Sequence, residues 1–155
     1  MRAFIQRVKH ASVCVDEKEC GKCNNGLLIL LGVGKDDSEA DVSLLANKVL
    51  KLRIFHDDQG KMNRSLLDID GEALIVSQFT LYADYSHGNR PNFLPAADPA
   101  TANRLYTQFC KYMEERLRYV GMGIFGAEMQ VYLQNDGPVS MCIDTDILKT
   151  KGKME

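Results

Sequence analysis

The 155-residue chain predicts a single mixed α/β domain, a mostly antiparallel, barrel-like β core with two helices. Three observations carry this expectation. Short apolar or alternating runs bounded by Gly, Asn, Asp and Pro recur along the chain, about seven or eight in all. Two longer stretches carry apolar residues at helical spacing. The order is β-rich, α, β, α, β, and hairpin-type turns favour antiparallel pairing over a repeated βαβ unit.

Each element has its own signal. Ala3, Ile5 and Val8, then Val13 and Val15, form short strand runs with a polar break at Lys9-His10. Glu17-Lys18-Glu19 and Asn24-Asn25-Gly26 read as turns. Leu27 to Leu31 is a continuous apolar run, fitting a strand buried on both faces. Lys35 to Ser38 carries helix-start chemistry, and Val42, Leu45, Ala46, Val49 and Leu50 then make one apolar stripe. Leu52 to Phe55 begins a strand, Asp57 to Gly60 is a turn, and Lys61 to Asp70 is mostly loop. A strand runs from Glu72 to Phe79, and Tyr82 to Ala97 is irregular. Asp98-Pro99 is an N-cap with proline at the first helical position. Leu105, Phe109, Met113, Leu117 and Val120 mark one helix face, with Gly121 as its stop. Ala127 to Leu133 and Val139 to Ile143 read as strand, turn, strand. The domain is expected over 1–145, with 146–155 as a frayed polar tail.

Composition limits the function classes. The hydrophobic fraction is 45% and the charged fraction 26%, ordinary for a globular protein. No apolar run approaches the roughly 18 residues that span a bilayer. Met1 to Lys9 alternates apolar and polar residues and lacks the apolar core of a signal peptide, so a cytoplasmic protein with no membrane partner is expected. The net charge of −2 exerts no whole-protein pull on nucleic acid. Basic residues do cluster at Arg2, Arg7 and Lys9, at Lys48, Lys51 and Arg53, and at Lys149, Lys151 and Lys153. The five cysteines are odd in number, which speaks against a disulfide framework. Cys20-x-x-Cys23 has metal or redox spacing, but no second pair accompanies it. A phosphate loop, a G-x-S-x-G elbow and histidines at metal-ligand spacing are all missing, so no metal or cofactor is expected.

Two stretches remain. Ser77-Gln78-Phe79-Thr80 turns polar at the end of an apolar strand. It is either a strand running out into solvent or a polar pocket floor with donors for a carbonyl or oxyanion. Asn135-Asp136-Gly137-Pro138-Val139-Ser140 contains Asp-Gly, a strong turn pair. Proline cannot continue a central strand, and the glycine before it lets backbone approach a ligand closely.

Ser77-Gln78-Phe79-Thr80-Leu81 with Ala83-Asp84, and Asn135-Asp136-Gly137-Pro138-Val139, resemble the signature motifs of the D-aminoacyl-tRNA deacylases. Gln6-Arg7-Val8, Leu31-Gly32-Val33, Arg53-Ile54-Phe55, Gly60-Lys61-Met62-Asn63, Arg90-Pro91-x-Phe93 and Met129-Gln130-Val131 follow in family order, and the resemblance covers residues 1 to about 144. It implies the family's fold and a cofactor-free homodimer with its active site at the subunit interface. That site would hydrolyse the ester between a D-amino acid and the 3′-terminal adenosine of tRNA. Glycyl-tRNA, including glycine mischarged on tRNA-Ala, is a further implied substrate. Carried over, Ser77, Gln78, Phe79 and Thr80 line the catalytic pocket. A cis Gly137-Pro138 is the chirality gate, and Phe125, Met129 and Arg7 bind substrate. Thr80 has no base within its motif, and the family view gives the activating role to the tRNA 2′-hydroxyl. Ser140 stands where the family motif ends in Thr, and Asn92 interrupts Arg-Pro-Ser-Phe; both departures are mild. An animal group with a trans gate accepts some L-residues, and the unbroken Gly137-Pro138 argues against it. The competing readings are a non-catalytic nucleic-acid-binding module and a redox or zinc protein built on Cys20 and Cys23.

Overall fold

A computed structural model describes residues 1–151. Its axis is β1 (Arg2–Val15), a strand long enough to serve several partners. One edge pairs antiparallel with β3 (Gly26–Gly32) over Arg2 to Val8, then with β2 (Lys18–Cys23) over Ala11 to Val15. The other edge pairs antiparallel with β8 (Gln130–Asp144) along nearly its whole length. Lys9 and His10 therefore do not break the strand. They are exposed where one edge passes from β3 to β2, so solvent takes the place of a neighbour.

β3 lies between β1 and β6 (Glu72–Ser77), and β6 pairs in turn with β7 (Val120–Met122). The β3–β6 and β6–β7 pairs are parallel, unlike the hairpin pairings expected from the turns. Parallel neighbours need crossovers, and α1 (Glu39–Lys51) and α2 (Pro99–Glu114) supply them. Alternation along β3 and β6 explains burial on both faces. Leu27, Ile29, Leu31, Ala73 and Ile75 face the core shared with α1 and α2, while Leu28, Leu74 and Val76 join Val8, Ala11 and Val13 in a second core. The sheet curls towards closure where β2 meets β7. A side chain at Gly21 would lie 2.4 Å from the Met122 carbonyl oxygen, and one at Gly121 would lie 2.2 Å from that of Lys22. Glycine is required there because two backbones touch.

The α1 stripe is buried as its spacing predicts. Its start is secured by Asp41, whose Oδ2 accepts from the Ser38 N–H at 2.9 Å and the Ser38 hydroxyl at 3.2 Å. α2 opens on the Asp98 carboxylate, which accepts from the Thr101 N–H at 3.0 Å. It ends at Glu114, short of Gly121. Leu117 still makes a helical bond to the Met113 carbonyl at 2.9 Å, but Val120 and Gly121 are taken into β7. Pairing with β6 outweighs the continuing helical period.

β4 (Phe55–His56) and β5 (Met62–Arg64) form a separate hairpin, giving order to part of the expected 61–70 loop. Asp57 Oδ1 stiffens its turn by accepting from the Gln59 and Lys61 N–H groups at 2.9 and 3.0 Å. The frayed tail is replaced over Thr145–Lys151 by a short helix, α3. Thr145 is buried, its N–H donates to the Met1 carbonyl at 2.9 Å, and Lys149 pairs with the buried Asp41 at 2.5 Å. The rest of the expected tail, with Lys153, lies outside the described residues. Among the described residues no helix is long and apolar enough to cross a membrane.

Candidate active site

The sheet and the start of α2 enclose a cavity of about 550 Å³. Its floor comes from strand ends: Leu31 from β3 and Val33 just after it, Val76 and Ser77 from β6, and Val131 from β8. Gln78 and Phe79 form one wall, and Phe125 and Met129, on the segment between β7 and β8, form another. The structure thus brings Ser77, Gln78, Phe79, Phe125 and Met129 together.

β6 ends at Ser77, two residues before the expected end. The Gln78 N–H makes one more bond, to the Leu31 carbonyl at 2.8 Å, and the chain then winds into a 3-10 turn over Phe79–Tyr82. Phe79 and Thr80 consequently do not alternate as strand residues would. The first N–H groups of such a turn have no acceptor within it, which leaves those of Phe79 and Thr80 available as donors. The Gln78 side-chain amide donates to the Thr80 hydroxyl. Thr80 is exposed and does not line the cavity. Phe79 is more than half exposed and packs edge-on against Phe93, with ring centroids 4.9 Å apart.

Sequence reasoning singled out neither Phe93 nor Tyr106 for the cavity, although both line it. Phe93 sits in an irregular stretch, where no periodicity shows which way a side chain points. Tyr106 follows Leu105 on the buried face of α2 and reads as core; its hydroxyl donates to the Ile75 carbonyl at 2.8 Å. Burial raises the Tyr106 pKa above its usual range, so that phenol stays protonated. Among the described residues the lining holds no carboxylate, histidine or lysine. It can present hydroxyl, amide and backbone donors to a carbonyl, but it offers no general base.

Gly137 and Pro138 lie elsewhere. The expected strand, turn, strand is a single strand, β8, that keeps its direction along β1. Gln6 faces Ser140 and Val8 faces Asn135, so residues 136–139 stand opposite Arg7 alone and are pushed out as an excursion. The Gly137–Pro138 peptide is cis and both residues are exposed. Asn135 staples the excursion: its Oδ1 accepts from the Val139 N–H at 2.7 Å and its Nδ2 donates to the Ser140 hydroxyl at 2.9 Å. Serine at 140 therefore keeps the bond a hydroxyl is needed for. Arg7 lies beneath, 4% exposed, donating from Nε to the Asp136 carbonyl at 2.8 Å and from Nη1 to the Ile54 carbonyl at 2.6 Å. Gly137 has φ +140°, and a Cβ there would meet Val139 Cγ2 at 2.8 Å and Arg7 Nη2 at 3.2 Å. Arg7 thus faces the excursion rather than the 550 Å³ cavity. The β1 residues opposite Val131 and the excursion are Val13 and Arg7, six positions and roughly 20 Å apart.

Cys20 is exposed and Cys23 buried, three residues apart on β2, which sends their thiols to opposite faces. Burial first, then the nearby Glu72 carboxylate, pushes the Cys23 thiol up to about 12.

Comparison with known proteins gives a consistent set of relatives. The family model for D-Tyr-tRNA(Tyr) deacylase matches residues 4–144. The D-aminoacyl-tRNA deacylase of Thermosipho africanus is 55% identical over 145 residues, covering 94% of this chain and 97% of that protein. Its namesake from Roseiflexus castenholzii is 56% identical over 149 residues, covering 96% and 95%. Among solved structures, c-Myc DNA Unwinding Element Binding Protein superposes with a TM-score of 0.88 at 37% identity, covering 93% of this chain and 98% of that one. A probable eukaryotic D-amino acid tRNA deacylase shares the fold at 17% identity, with a TM-score of 0.78 and coverage of 92% and 98%.

Proposed function

This chain belongs to the D-aminoacyl-tRNA deacylase family and is a hydrolase of the aminoacyl-tRNA ester; from that premise we propose that it works as a homodimer whose site joins the cavity of one subunit to the Gly137-Pro138 excursion of the other. One observation carries this reading. The two motifs that mark the family do not share a pocket within one chain, and the excursion projects into solvent. If both serve one site, a second copy supplies one of them.

In this arrangement Ser77, Gln78 and Phe79 hold the aminoacyl ester, with Phe125 and Met129 beside the terminal adenosine. The backbone donors of Phe79 and Thr80 face the oxyanion that forms at the ester carbonyl. A cavity without a base leaves activation of water to the substrate's own 2′-hydroxyl. The carbonyls of Gly137 and Pro138, aimed at the substrate α-carbon, exclude an L side chain by contact and leave room for a D one. Discrimination then comes from what is rejected. A gate made of backbone does not read the side chain, so many D-residues pass, and glycine passes because it has nothing to reject. The compartment that suits such editing is the cytoplasm.

The test is deacylation of D-Tyr-tRNA and L-Tyr-tRNA side by side, with chelator and thiol-blocking controls. The expected result is hydrolysis of the D-ester alone, unaffected by either control. Equal rates on both enantiomers would overturn the gate. Binding without hydrolysis would favour a nucleic-acid-binding module, the activity named for one structural relative. Loss with chelator or thiol blocker would return attention to Cys20 and Cys23.

A further inference from the structure

A second cavity, of about 360 Å³, opens between the 136–139 excursion and the β4–β5 hairpin. Arg7, Asn25, His56, Arg64 and Asp136 supply its polar groups, and Phe55 and Ile69 its apolar floor. Their charges can be sorted. Arg7 is buried and its Nε lies 3.9 Å from the Asp136 carboxylate, so these two charges offset each other. Arg64 and His56 remain, both exposed at the rim, where the Asp68 carboxylate acts on Arg64 and the Asp57 carboxylate on His56. Arg64 gives Nη2 to the Asp68 carbonyl at 2.9 Å, one donor of the five a guanidinium carries. The wall that bears them is stiff: Asp57 clamps the hairpin turn, and Arg53 donates to the Asn63 carbonyl at 2.9 Å and also to its side-chain oxygen.

We propose that this cavity binds a phosphodiester of the aminoacyl-tRNA acceptor end, with Arg64 and His56 as its donors. The proposal rests on the interface reading above and deepens it. The cavity flanks the excursion, so the subunit that lends the gate also grips the substrate seated in its partner. The chemistry of the substrate selects the ligand. An aminoacyl ester has no free carboxylate, and its α-amino group is cationic. The anion nearest the scissile bond is therefore the phosphodiester on the 5′ side of the terminal nucleoside. A planar guanidinium fork held on a rigid hairpin suits a phosphate better than a mobile lysine does.

The test compares D-Tyr-tRNA with 3′-O-D-tyrosyl-adenosine, which keeps the ester and nucleoside but has no phosphate. For Arg64→Ala/His56→Ala the expected result is a rise in KM for D-Tyr-tRNA of about tenfold, with kcat retained and kinetics on tyrosyl-adenosine within twofold, roughly. The salt dependence of kcat/KM on the tRNA should also flatten by about one phosphate contact, and Arg64→Lys should recover part of the loss. An unchanged KM for the tRNA overturns the proposal. An equal loss on both substrates overturns it too, since the hairpin would then only position the gate. Wild-type protein inactive on both substrates overturns the deacylation reading on which the proposal rests, an outcome separate from these.

Discussion

At the residue scale the cavity is notable for the chemistry left to so few groups. Thr80 carries the one hydroxyl in the 3-10 turn that suggests a nucleophile, yet it is exposed, takes a bond from Gln78 and has no base beside it. Thr80→Ala should therefore lower kcat on D-Tyr-tRNA by no more than about tenfold, the worth of one hydrogen bond. A terminal 2′-deoxyadenosine should abolish single-turnover hydrolysis. The reverse ranking, a dead alanine variant and a surviving deoxy substrate, would make Thr80 the nucleophile. Residue types alone left both stretches open. Polar groups ending an apolar strand also fit a strand running into solvent, and Asp-Gly also fits a turn, so only the family resemblance joined them into one site. Tyr106 was hidden because a buried helical tyrosine looks the same whether or not a cavity lies above it.

At the element scale, periodicity was informative until tertiary pairing overrode it. The α1 stripe matches the spacing residue for residue. The α2 pattern ran on past Glu114 because Leu117 is buried by a last helical bond, while Val120 answers to β6. At the β8 excursion the sequence points to a turn, because no local signal distinguishes a reversal from a bulge; only the partner strand does. Docking of α3 was equally invisible, since Lys149 in a polar tail gives no hint of its partner Asp41. Burial opposes the Asp41 charge, but the Lys149 ammonium, the Ser38 N–H and the Thr145 hydroxyl outweigh it and hold the pKa at about 2, below the ordinary 3.8. The folded-state pKa is the lower one, so this stabilisation is full above the ordinary carboxylate range and is lost as pH falls towards 2. It amounts to about 2 kcal/mol. Lys149→Met should lower Tm at neutral pH and move the acid-unfolding midpoint, followed by far-UV circular dichroism, towards higher pH. An unmoved midpoint would mean that α3 docks without this pair.

At the scale of the whole molecule, one experiment asks whether cavity and gate come from different chains. Gly137→Ala places a methyl against Val139 and Arg7 at a left-handed φ and disables the gate. Ala127→Trp fills the cavity, which Ala127 lines. Each variant alone should be inactive. Unfolded and refolded together, they should recover about one quarter of wild-type activity, because each mixed dimer holds one site with both parts intact. No recovery, with dimers confirmed by light scattering, would place gate and cavity in the same chain. The class of fold and its barrel-like curl were legible, but the place of closure was not, because Gly21 and Gly121 carry no sequence mark of the backbones they let touch. The pairing of β1 with β8 has a consequence for biosynthesis. β1 precedes every other described strand on the ribosome, and the partner along its free edge begins only at Gln130. During most of translation that edge carries unpaired N–H and C=O groups, a template for any extended segment nearby. Folding must wait for the last strand, which makes it slow and dependent on contacts distant in sequence. Whatever shields the nascent first strand, chaperone or ribosome surface, helps decide how much of this enzyme reaches its working form.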